Sequence, residues 1–177
     1  MSLEELLRNS EDAILLRWLD DALAAYPGSS SAVFKCEKDP FANPVGRSLR
    51  EGTRGMFHAL VDRENAEEMR QHVSEIMRIR AVQQHSPSQA VGFLFSLKNA
   101  IRAELHGVVT QTEYSSELAE LDNQIDRIGL MAFDIYVQYR EQMCELRINE
   151  VKRQVSWMVD KMNKRVPDQD LVQIDRP

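Results

Sequence analysis

The stretch from Met69 to Leu105, MRQHVSEIMRIRAVQQHSPSQAVGFLFSLKNAIRAEL, decides the fold. Apolar residues recur at Met69, Val73, Ile76 and Met77, and again at Ala90, Phe93, Leu94, Leu97, Ile101 and Leu105. Each set has i, i+3/i+4 spacing and so shares one face of a helix. Ser86-Pro87 stands between them. The serine oxygen can accept from a free N–H of the next turn, and proline suits the first helical position, where no N–H is needed. The spacing predicts helix, tight corner, helix. Val91 and Phe95 widen the apolar arc of the second helix, which predicts a place at the centre of a bundle rather than at its edge.

On the N-terminal side, Ser2 and Glu5 have the spacing of a capping box. Leu3, Leu6, Leu7, Ile14, Leu15, Trp18, Leu19, Ala22 and Leu23 then hold a helical period as far as Tyr26. Ser10, followed by Glu11 and Asp12, offers a second helix start within that run. Pro27 to Ser31 reads as loop, and Ala32 to Ala42 shows no period. Asn43-Pro44 repeats the logic of Ser86-Pro87 and opens a helix through Val45, Leu49, Met56, Phe57 and Leu60. Gly46, Gly52 and Gly55 each weaken it by about 1 kcal/mol against alanine, which predicts close helix packing at all three.

On the C-terminal side, Gly107 reads as a helix end and Val108 to Tyr114 as a link. Ser115 or Ser116 opens the last helix, and nothing breaks its pattern until Pro167. Roughly fifty residues at about 1.5 Å each span about 75 Å. A globule of this size has a radius of gyration of only about 13 Å, so the helix is expected to project. No strand pattern occurs anywhere. The expected fold is all-α, with residues 1–143 as the bundle, 144–166 as a projecting signalling and dimerisation helix and 167–177 as a flexible tail.

Length and composition bound the function. The 177 residues suit one domain with a sizeable core. The net charge of −6 excludes general nucleic-acid binding, which needs a basic surface. The first residues lack the basic stretch of a leader, and no apolar run approaches the ~20 residues of a membrane span, so a cytoplasmic protein is expected. Cys36 and Cys144 have no metal-ligand spacing and read as reduced thiols.

Three runs of residues look familiar together: Asp39-Pro40-Phe41-Ala42-Asn43-Pro44-Val45-Gly46, Ile79-Arg80-Ala81-Val82-Gln83, and Ser86-Pro87-Ser88-Gln89-Ala90-Val91-Gly92-Phe93-Leu94-Phe95-Ser96-Leu97-Lys98. With Trp18 in the first helix, residues 3 to 140 resemble the N-terminal domain of the RsbR/RsbD-type co-antagonists of stressosomes. The resemblance implies a globin-like bundle without haem, acting as a sensory and dimerising module in the stress response. In stressosome proteins its last helix runs on into a STAS output domain, which is phosphorylated and binds a kinase. No βαβ pattern follows here, so an input module without a STAS domain is expected, and kinase binding by that domain does not carry over.

Candidate chemistry is sparse. A globin-like fold raises haem, but a haem pocket needs a histidine facing an apolar cavity. His72 falls beside its helix stripe, His85 sits at the corner and His106 at a helix end, so these and His58 read as surface or capping residues. The four histidines have no zinc spacing, and neither a cofactor nor a metal is expected. Arg80 shares the stripe of Val73, Ile76 and Met77, while Lys98 and Arg102 lie one turn apart on the next helix. The three cations are a candidate contact for an anionic small ligand. The plainer reading lays their stems on the core and sends their heads to water, Glu75 or Glu104. Cys36 has no histidine tied to it, phosphate loops are absent, and no enzyme is expected.

The last helix carries the partner expectation. Its first half has Leu118, Leu121, Ile125, Ile128, Ile135 and Tyr139 on one stripe. Its second half has Ile148, Val151, Val155, Met158 and Met162 on a stripe about 180° away. The second stripe, with Trp157 beside it as a further protein-contact residue, is expected to pair with a second copy, giving a homodimer, and to relay a signal to another signalling protein. From Glu145 to Val166, six Lys/Arg face three acids. With Trp157, Met158 and Met162, that excess makes contact with a membrane surface or membrane-bound complex an alternative. A haem- or small-ligand-binding globin is the other.

Overall fold

The computed structural model describes residues 2–24, 43–62, 66–83, 85–106 and 114–163. Among these the chain is all helical: α1 (Leu3–Asn9), α2 (Glu11–Ala24), α3 (Pro44–Val61), α4 (Ala66–Val82), α5 (Pro87–Leu105) and α6 (Ser115–Asn163). The expected irregular stretch Ala32–Ala42, the helix end at Gly107 and the tail from Pro167 lie outside the described residues. The chain divides into two compact units, Met1–Arg140 and Glu141–Pro177.

Local chemistry sets the helix starts. The Ser2 side chain accepts from the Glu5 N–H while the Glu5 carboxylate accepts from Ser2, a complete capping box. Ser10 then interrupts the apolar run, so the first segment is two helices. Its N–H closes α1 on the carbonyls of Leu6 and Leu7, and its own carbonyl receives the Ile14 N–H at 3.0 Å. Asn43 caps α3 by accepting from the Gly46 N–H at 2.8 Å, with Pro44 in the first turn. Ser86 caps α5 with a second complete box, closed by Gln89. That S-x-x-Q spacing was readable in the sequence beside the proline.

The glycines of α3 have two different reasons. A methyl group on Gly52 would lie 2.8 Å from Cδ1 of buried Ile76, and one on Gly55 would strike the His72 ring at 2.4 Å. Both let α4 approach α3 closely. At Gly46 the methyl would meet the Asn43 side chain at 2.4 Å, so this glycine makes room for the cap and not for another helix.

The core of Met1–Arg140 is where α2, α3, α4 and α5 meet. Ile14, Trp18, Ala22 and Leu23 of α2 are buried with Leu49, Met56 and Phe57 of α3 and Val73, Ile76 and Met77 of α4. From α5 come Ala90, Phe93, Leu94, Leu97, Ile101 and Leu105. Each large apolar side chain so buried contributes about 1.5–3 kcal/mol. Trp18 adds a direct tie: its ring stacks on Phe93 at 5.9 Å and its indole N–H donates to the Phe93 carbonyl at 2.8 Å. Leu121, Ile125, Ala132, Ile135 and Tyr136 of α6 are buried as well.

Helix α5 is not sealed on every side. Gly92, Phe95, Asn99 and Arg102 recur at threes and fours along it and all four are exposed. Phe95 stays 39 % exposed, with its ring where a Gly129 side chain would otherwise be.

Candidate functional site

Two places carry unusual chemistry, one in each unit. The first is the corner between α4 and α5. Arg80 lies on the core face of α4 and is completely buried. Its guanidinium donates to the Ala22 carbonyl at 2.8 Å and to the Gln89 carbonyl at 2.7 Å, and it sits 4.2 Å from the centre of the Phe93 ring. Ala22 is in the last turn of α2, where carbonyls lack helical partners and the helix dipole is negative. One planar cation therefore ties the end of α2 to the first turn of α5. Arginine suits the place because its fixed fork reaches two acceptors while its flat face lies on an aromatic ring.

The corner is also tied to α6. The Tyr136 hydroxyl donates to the His85 carbonyl. Ser74 and the Tyr139 hydroxyl share a hydrogen bond of 3.0 Å, and Arg140 donates to the Ala81 carbonyl at 3.4 Å. Burial, and after it the nearby Arg80 charge, holds His85 below the ordinary imidazole value of 6.5, while a hydrogen bond to the Arg80 backbone acts the other way.

The three cations singled out in the sequence do not share one space. Arg80 is inside. Lys98 pairs with Asp126 at 2.6 Å, and Arg102 pairs with Asp122. Those acids stand one turn apart on α6, so the pairs form two rungs from α5 to α6. Glu104 is taken by Arg17 at 2.8 Å. The head of Arg80 thus meets two backbone carbonyls. No sequence pattern marks such partners, because a backbone carbonyl belongs to every residue.

The histidines are also placed. His58 meets Glu11 at 2.9 Å, His72 covers Gly55, His85 is at the corner and His106 ends α5. The space enclosed by Trp18, Met56, Leu60, Leu94, Leu97, Ile125 and Ile128 measures about 10 Å³, the scale of one water molecule. No histidine lines it. Among the described residues no three His, Cys, Asp or Glu side chains cluster as metal ligands do.

The second place is the α6 segment within Glu141–Pro177. Ile148, Val151, Val155, Met158 and Met162 are each about half exposed or more, from 51 % at Val155 to 68 % at Met162. Their spacing of threes and fours keeps them on one helix face. Trp157 is exposed too, but two residues from Val155 is about 200° of rotation, so it is off that face. Its ring lies under Lys161 at 4.7 Å. No helix among the described residues is long and apolar enough to cross a membrane.

A family model described as the RsbT co-antagonist protein rsbRD N-terminal domain matches residues 12–151. No curated protein and no solved structure matches the chain. The match takes in Trp18, the Asn43 and Ser86 caps, the Arg80 corner and α6 as far as Val151. The chain belongs to the family of rsbRD N-terminal domains.

Proposed function

We infer that this chain is a non-catalytic sensory or adaptor module that passes the state of its helical bundle to a protein partner through the end of α6. The observation that carries the reading is the exposed row Ile148, Val151, Val155, Met158 and Met162. Five large apolar side chains on one face of a helix mark a contact surface. Family membership supports it, since the family's description names co-antagonists of RsbT, proteins that act by contacting another protein. The Tyr136, Tyr139 and Arg140 bonds give the corner around Arg80 a physical hold on α6. The same membership supports a stress-signalling role within a larger protein assembly.

The same row pairs with its counterpart in a second copy, forming a homodimer. Alternating threes and fours are what such a seam requires. The test is the full chain with Val151→Glu and Val155→Glu together. Sedimentation should change from dimer to monomer with helical circular dichroism unchanged. Association equal to that of the parent contradicts the reading.

A further inference from the structure

The exposed stripe of α6 starts one step earlier than its large apolar residues, at exposed Cys144. Cys144, Ile148, Val151, Val155, Met158 and Met162 alternate fours and threes, the two seam positions of successive heptads. Arg147, Gln154 and Lys161 come directly before Ile148, Val155 and Met162. Glu145, Lys152 and Val159 come directly after Cys144, Val151 and Met158. These six residues flank the seam, where a partner helix meets them. Three are cations and one is an acid. Glu150 and Arg153 pair with each other at 2.7 Å off the seam and leave that imbalance untouched.

Self-pairing sets like charges together in either direction. In a parallel pair, Arg147 of each copy faces Lys152 of the other. In an antiparallel pair, Arg147 faces Lys161 and Lys152 faces Lys152. We propose that the preferred occupant of this seam is an amphipathic helix with acidic flanks, which displaces the second copy and forms a one-to-one pair. The inference rests on the stripe being a contact surface and adds the chemistry of its partner. Opposite charges at flanking positions select partner and orientation more than they add raw affinity.

The test uses the full chain and two labelled synthetic helices of equal length. Both carry Ile and Leu at the seam; one has Glu at every flanking position and the other Lys. Fluorescence anisotropy should show the Glu helix binding roughly tenfold tighter or more at low salt, summed over the three cations. The gap should narrow as salt rises. Arg147→Glu, Lys152→Glu and Lys161→Glu together should reverse the order of the two helices. Equal affinities, or an order that the triple variant leaves unchanged, overturn the proposal. So does retention of the chain by anionic phosphatidylserine vesicles when neither helix binds. Light scattering of the chain alone reports separately on self-pairing: a monomer removes the homodimer and leaves the order of the two helices to decide this proposal.

Discussion

The guanidinium of Arg80 lies 4.2 Å from the centre of the Phe93 ring, and Trp18 stacks on that same ring at 5.9 Å. Three helices, α2, α4 and α5, thus meet at one aromatic side chain. Arg80 adds two carbonyl hydrogen bonds at the same point. Charge is kept and geometry lost in Arg80→Lys, since an ammonium cannot span both carbonyls or lie flat on the ring. The expected cost is about 1.5–3 kcal/mol, the worth of a hydrogen bond to a charged group, read as a lower midpoint in urea.

Leu97, at 3 % exposure, sits in the middle of α5. Leu97→Ala should cost on the order of 2–5 kcal/mol, a large share of the stability of an ordinary domain. Leu130→Ala, at a residue 68 % exposed, should stay within about 0.5 kcal/mol. Thermal melts of the two variants side by side check the assignment of core and surface.

Two glycine substitutions should move stability in opposite directions. Nothing lies within 4 Å of the place a Gly92 side chain would occupy, so Gly92→Ala should stabilise α5 by up to about 1 kcal/mol. A Gly52 side chain would meet Ile76, which is completely buried and cannot step aside. Gly52→Ala should therefore lose more to overpacking, about 1–3 kcal/mol, than it gains in helix propensity. Urea midpoints of the pair give the two signs.

His85 gives a pH dependence. Its folded pKa is held below the unfolded value, so the unfolded chain binds the proton more readily. Stability is full above about pH 6.5 and falls as pH drops from there toward the lowered folded value. His85→Gln should flatten that part of the curve of melting temperature against pH between 7.5 and 5.5. An unchanged slope would show that His85 does not cause it.

Much of this fold is legible in the sequence because its signals are local. Ser2 with Glu5, Asn43-Pro44 and Ser86-Pro87 each announce a helix start within three residues, and all three starts are where those residues put them. The core faces of α4 and α5 follow from spacing alone. The corner is different. Arg80 reads as a cation bound for water because its stripe neighbours are apolar and its partners, the carbonyls of Ala22 and Gln89, carry no side-chain signature. Gly46 illustrates the same limit. Its composition resembles that of Gly52, yet it serves a cap three residues away rather than a neighbouring helix. Phe95 reads as core by its type, yet it stays partly exposed with its ring packed over Gly129, which only the packed structure brings beneath it.

The proposed homodimer seats a second copy of this chain on the α6 row from Ile148 to Met162. Light scattering on the full chain and on a chain ending after Leu146 tests it most directly. A dimer is expected for the full chain and a folded, helical monomer for the shortened one. A full-length monomer, or a shortened chain that stays dimeric, contradicts it.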